Sequence, residues 1–133
     1  MSQKTLELAD QAMEALGRRD LSTLLAIADP EVEWHSFFAQ LGEGGVYRGH
    51  DGTRRYIRDL EEAWEIVRAD TDDAIAAGDV AIFVGRIRYR GRSSGIETDT
   101  AAGWMLKFRQ EKLIRFRAFR DPEQALERMG LSG

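Results

Sequence analysis

Leu6, Ala9, Ala12, Met13 and Leu16 recur at spacings of three and four, which places them on one stripe of an amphipathic helix that Gly17 ends. Asp20 stands in an N-cap position, and Leu21, Leu24, Leu25 and Ala28 repeat the pattern until Asp29-Pro30 stops a second, shorter helix. Val32 to Phe38, branched and aromatic, reads as a strand, and the Gly-rich stretch from Gly42 to Gly45 as the loop after it. Asp51 is placed to cap a third helix. Its apolar face is Tyr56, Ile57, Leu60, Ala63 and Trp64, opposite a solvated face of Arg54, Arg55, Arg58, Asp59, Glu61 and Glu62. From Ile66 the period changes to alternation, and Ile66 to Ala76, Val80 to Arg92, Ile96 to Arg109 and Lys112 to Phe119 are consecutive antiparallel strands joined by short turns. Asp121-Pro122-Glu123-Gln124 starts a last helix, with Ala125, Leu126 and Met129 facing inward and Gly130 closing it. The pattern is that of an α+β domain with N-terminal helices packed on a curved, mostly antiparallel sheet.

Two-residue turns set the register of the hairpins. A turn at Ser93-Ser94 pairs Arg90 with Glu97, Arg88 with Asp99, Arg86 with Ala101 and Val84 with Gly103; one at Gln110-Glu111 pairs Met105 with Phe116 and Gly103 with Ala118. One face then carries Ile82, Val84, Arg86, Arg88, Ala101, Gly103, Met105, Ile114, Phe116 and Ala118. The other carries Phe83, Ile87, Tyr89, Trp104, Leu106, Phe108, Leu113 and Phe119, with Arg115, Arg117, Thr98 and Thr100. The small residues Ala101, Gly103 and Ala118 in the middle of the first face predict a hollow under the helices, of the make-up usual for a small-molecule pocket. The second face, aromatic and without a helix left to cover it, predicts a homodimer formed through that outer sheet face.

Composition narrows the chemistry. The chain has 133 residues, 43% of them apolar and 32% charged, which suits one domain over residues 1–133. A net charge of −4 removes the electrostatic footprint of a nucleic-acid binder and argues against an anionic membrane as partner. With no cysteine and two histidines, thiolate chemistry, disulfides and cysteine-ligated metals drop out, and neither a metal nor a cofactor is expected. The first twenty residues fit neither a signal peptide nor a membrane span, so a soluble, cytoplasmic protein is expected.

Assembled in this order, the chain resembles the SnoaL-like branch of the nuclear transport factor 2-like superfamily, also called ketosteroid isomerase-like or cystatin-like. The resemblance rests on a first helix running into Gly17-Arg18-Arg19-Asp20-Leu21, on Ala28-Asp29-Pro30-Glu31-Val32-Glu33-Trp34-His35, on Tyr47-Arg48-Gly49-His50-Asp51-Gly52, on Ala77-Gly78-Asp79-Val80, and on Lys112-Leu113-Ile114-Arg115-Phe116-Arg117 before Asp121. It implies a cone-shaped pocket and admits isomerases, polyketide cyclases, epoxide hydrolases, dehydratases and non-catalytic binders. The epoxide hydrolases' Arg-x-Asp corresponds to Arg86-Ile87-Arg88 and their second carboxylate to Ala118, so only the arginine is kept. The ketosteroid isomerases' catalytic positions correspond to Ala12, to Trp34 or His35, and to Gly103, which lack both oxyanion donors.

His35 is the candidate proton shuttle, with Glu33 two residues earlier on the same side of the strand as its orienter or as the base itself. Arg86 is the candidate anchor for a carboxylate or carbonyl oxygen, with a structural pair to Glu33 or Asp99 as the competing role. Trp34, Phe37, Tyr56 and Trp64 are expected at the cavity mouth, and Val84, Asp99, Gly103, Met105, Phe116 and Ala118 along its sheet wall. His50 belongs to a loop and helix start, and Asp121 to a helix cap. The function expected is cofactor-independent isomerisation, cyclisation or dehydration of a small cyclic or aromatic metabolite. The alternatives are a non-catalytic ligand-binding protein or a protein-interaction dimer of the same fold.

Overall fold

The computed structural model describes residues 2–38 and 45–127. Four helices and six strands follow in the order α1 (Ser2–Gly17), α2 (Leu21–Ile27), β1 (Ala28–His35), β2 (Val46–Arg48), α3 (Gly49–Ala63), β3 (Trp64–Ala77), β4 (Val80–Gly91), β5 (Glu97–Arg109), β6 (Lys112–Phe119) and α4 (Pro122–Glu127). The sheet runs β2-β1-β6-β5-β4-β3, antiparallel except for the β1–β6 pair. It is a curved, unclosed α+β sheet with α1 and α3 on one face and α4 on the other.

Local signals landed close to where the chain pattern put them. Asp20 caps α2, its side chain accepting from the Thr23 N–H (3.2 Å) and hydroxyl (2.7 Å), which hold the carboxyl below its usual range. Asp51 does not cap α3. Gly49, at φ 71°, turns the chain so that the helix starts three residues earlier, and Asp51 pairs with Arg54 (2.7 Å) in the first turn instead. β1 starts at Ala28 and includes Pro30, which is tolerated because the ladder to β6 is interrupted between Ala28 and Glu33, where no N–H is required. The strand ends at His35 rather than Phe38: the Ser36 hydroxyl accepts the Phe38 N–H (3.1 Å) and turns the chain inward. The expected loop at 42–44 and the expected roles of Met129 and Gly130 lie outside the described residues.

The β4–β5 register is the expected one throughout, from Arg90↔Glu97 to Val84↔Gly103. β5 and β6 also start as expected, at Arg109↔Lys112 and Phe108↔Leu113, and then slip. A bulge leaves Ile114 as an extra residue, so that Leu106 faces Phe116, Met105 faces Arg117 and Gly103 faces Phe119. One residue of slip exchanges the faces of everything beyond it. Phe116 and Ala118 thereby join Phe83, Ile87, Trp104, Leu106, Phe108 and Leu113 in the principal core beneath α1 and α3.

The two faces therefore have the opposite partners from those expected. The aromatic face assigned to a dimer contact is the one the N-terminal helices cover. The face of Val84, Arg86, Gly103 and Met105, assigned to the pocket, is the outer one. The hollow at Gly103 does exist, and α4 fills it: a Cβ there would lie 2.9 Å from the Ala125 Cβ and 3.1 Å from the Pro122 Cα. Around it Ile82, Met105, Phe119 and Ala125 form a second, smaller core.

Candidate functional site

A cavity of about 910 Å³ opens between α1, α3 and the inner sheet face, within the range of small-molecule sites, about 300–1,000 Å³. Phe37, Phe38, Tyr56, Leu60, Trp64, Phe83, Ile87, Trp104, Phe116 and Ala118 build its walls, and Met13 and Leu16 reach it from α1. The aromatic wall is braced: Phe38 stacks on Trp64 with centroids 4.4 Å apart, and Tyr89 meets both edge-on behind them, at 5.2 Å from each. Asp10, Glu14, Glu61, Glu65, Arg68 and Arg92 ring the mouth, all exposed. Several are committed there: Glu14 to Arg18 (2.5 Å), Arg68 to Asp70 (3.1 Å), and Arg92 to the Glu61 carbonyl (2.5 Å).

Two polar groups reach the interior. Tyr56 is buried, and burial pushes its phenol far above the ordinary tyrosine range, partly offset by the nearby Arg19 charge and by Ser36. It stays a protonated donor at any physiological pH. Tyr56 also walls a smaller cavity of about 260 Å³, where the Tyr47 hydroxyl donates to Asp59 (2.7 Å) and burial with that bond raises the Tyr47 phenol to about 12. Arg19 sits in the α1–α2 turn at φ 57°, a left-handed conformation more usual for glycine. Its guanidinium donates to the carbonyls of Leu16 (2.9 Å) and Val67 (3.4 Å), so it bridges the end of α1 to β3. Desolvation lowers its pKa, yet a guanidinium remains charged.

Of the residues expected from sequence, Phe37, Tyr56, Trp64, Phe116 and Ala118 line the cavity. Trp34 is on the inner face but lies beneath it, 5.4 Å from the Tyr56 ring and 5.2 Å from that of Phe116. Val84, Asp99, Gly103 and Met105 project from the opposite face, because the helices cover the other side of β4 and β5. Arg86 goes with them: exposed, it donates from Nε to Asp99 Oδ1 (2.7 Å), the structural pair that was its competing role. In the Arg86-Ile87-Arg88 triplet, Ile87 is the cavity residue.

His35 and Glu33 do form the expected pair, Nε2 to Oε1 at 3.0 Å, and the carboxyl is held below its usual range chiefly by that bond. They form it on the outer face, beside Arg48 and Arg115, 3.6 and 3.9 Å from Glu33, because Trp34 between them takes the inward position. His50 bonds the Ala28 carbonyl (3.0 Å), and Asp121 accepts the Glu123 N–H (3.0 Å), both structural roles. Sequence reasoning missed Arg19, Phe38, Phe83, Ile87 and Trp104. The last three were in the alternating pattern on the face assigned elsewhere, whereas Arg19 had no local signal. Among the described residues no His, Asp or Glu side chains converge as a metal-ligand set.

Comparison with known proteins agrees with this geometry. The chain is similar to an NTF2-like protein of unknown function from Burkholderia pseudomallei, at 25% identity over 96% of this chain and 97% of the other, with a TM-score of 0.78. A protein described as a SnoaL-like polyketide cyclase, from Shewanella denitrificans, shares the fold at 17% identity, with 97% and 98% covered and a TM-score of 0.75. So does TerC, co-crystallised with polyporic acid, at 19% identity, with 93% and 98% covered and a TM-score of 0.75. No curated protein sequence matches the chain. The SnoaL-like domain model matches residues 9–116, the stretch from α1 to the cavity residue Phe116, and the chain therefore belongs to the SnoaL-like domain family.

Proposed function

We propose that this protein takes a flat, largely apolar cyclic or aromatic metabolite into the cavity and promotes cofactor-independent proton transfer on it, in an isomerisation, cyclisation or dehydration. The observation that carries the reading is Tyr56, a buried phenol in a wall built mainly of aromatic and aliphatic side chains. A donor held in a dry pocket stabilises negative charge that develops on a ligand oxygen far better than water does. Carboxylates at the mouth, Asp10 and Glu61 among them, are the groups available to accept a proton. The second reading, a ligand-binding protein without turnover, is favoured by the position of His35 and Glu33 outside the cavity.

The two readings part on a bicyclic ketone such as 2-tetralone. Binding is followed by quenching of tryptophan fluorescence, and α-proton exchange in D2O by NMR. Catalysis predicts exchange accelerated by the wild type and slowed about a hundredfold by Tyr56→Phe, with binding kept. Binding without acceleration leaves the binder, and failure of this ketone and of its acidic analogues alike removes the cavity reading.

The partner proposed is a second copy, docked through the outer face that α4 leaves open, in a cytoplasmic setting. Support comes from the charge layout: Arg48 and Arg115 lie toward the β2 side, and Asp70 and Asp73 on the β3 edge, where Asp70 already pairs with Arg68. A two-fold axis would bring these opposite charges together. Native mass spectrometry at micromolar concentration is expected to give a dimer whose share falls with salt; a monomer throughout sinks the proposal.

A further inference from the structure

We propose that Arg19 selects the ligand by charge, and that the molecule the cavity accepts carries an ionised oxygen acid, a carboxylate or an acidic enol, at one end of its ring system. This rests on the cavity reading above and adds the substrate class to it.

Three observations lead there. Among the charged residues that line the cavity, Arg19 is the one drawn in from solvent; the six at the mouth are exposed, and water and salt screen their charges from the interior. A guanidinium also has five N–H donors in a fixed fork, and the Leu16 and Val67 carbonyls take two of them. Among the described residues no carboxylate lies within ion-pair distance of it, and Glu61 acts only from farther off. The remaining donors are therefore available to a ligand, and paired oxygens of a carboxylate match the fork. Finally, the guanidinium is pre-positioned. The left-handed turn at Arg19 is locked by the Asp20 N–H to the Ala15 carbonyl (2.9 Å) on one side and by the Asp20 cap on the other. The two carbonyl bonds then hold the far end of the side chain against β3, so little rotamer freedom is left to lose on binding. Desolvation of an arginine with no anion beside it is unfavourable, and an anionic ligand relieves it.

The probes are 2-naphthoate and its neutral counterpart 2-acetylnaphthalene, titrated into the full chain by tryptophan fluorescence. The wild type is expected to bind the acid about tenfold more tightly than the ketone. Arg19→Met should weaken naphthoate by about tenfold or more and leave the ketone within about threefold, with Arg19→Lys in between. A melting curve checks that the variants fold, and Arg19→Gln serves if the methionine variant does not. If Arg19→Met weakens both probes equally, Arg19 only shapes the wall and the inference is overturned. Equal affinity of the wild type for acid and ketone overturns it as well. If the ketone binds but the acid does not, the cavity reading stands and the charge assignment falls; if neither binds, both fall.

Discussion

Gly85→Ala is expected to destabilise the protein by about 3 kcal/mol or more and to lower its melting temperature by about 10 °C. The reason is a bulge in the neighbouring strand. β3 pairs Thr71 with Gly85 and Asp73 with Val84, so Asp72 is an extra residue and the strand kinks toward β4. A Cβ at Gly85 would overlap the Asp70 carbonyl oxygen and lie 2.8 Å from the Thr71 Cα. Those atoms are backbone and cannot rotate away, so the strand itself must move. Because Ala69 and Thr71 line the cavity, moving β3 would deform the site as well as the fold. Gly17→Ala is the control: nothing lies within 4 Å of a Cβ there and the residue is helical, so it should be neutral or slightly stabilising. Thermal unfolding followed by circular dichroism compares the two. A Gly85→Ala protein that melts within two or three degrees of wild type would mean that β3 does not approach β4 in this way.

The other large effect is at Trp34. Only 1% exposed, its indole packs against Tyr56 and Phe116 and donates from Nε1 to the Thr53 hydroxyl (2.7 Å), which in turn donates to the Gly49 carbonyl (2.9 Å). Trp34→Ala removes that support and leaves a void, at a cost of about 3–5 kcal/mol, a large part of the roughly 5–15 kcal/mol typical of a whole domain. Thr53→Val keeps the volume but strands a buried indole N–H, for about 1–3 kcal/mol. Trp34→Phe removes that donor, so adding it to Thr53→Val should cost less than the two single effects together. Urea denaturation of the four proteins measures the cycle, and strict additivity would rule out the bond. Tyr56 and Phe116 rest on Trp34, so the same variants should loosen ligand binding even where they fold.

These residues also show what could be read before the fold was known. The Asp20 cap, the limits of β4, β5 and β6 to within one residue, and the pairing of Arg90 with Glu97 were legible because each depends on residues a few positions apart. Phe37, Tyr56 and Trp64 were legible as apolar residues near the helix–sheet junction, although Trp64, read as part of the third helix, opens β3 and Phe37 follows the end of β1. Arg86, His35 and Glu33 were legible as pairs and not as sites. Arg86 did bond Asp99 and His35 did bond Glu33, yet a period of two says which residues share a face without saying which face is covered.

That choice was made in three dimensions. Both sides of β4 and β5 carry apolar residues, so burial energy alone did not distinguish them until α1 and α3 packed on one side and α4 dropped into the hollow at Gly103 on the other. The Ile114 bulge then moved Phe116 and Ala118 to the cavity side. Arg19 became an interior cation because the Val67 carbonyl, 48 positions along the chain, reaches back to hold it. Except for β2, which the chain pattern did not show, element type and order and the pairings next to the turns were thus contained in it, since short-range sterics and hydrogen bonding set them. The identity of the pocket face and its charged group came from contacts between distant segments, which no local pattern encodes.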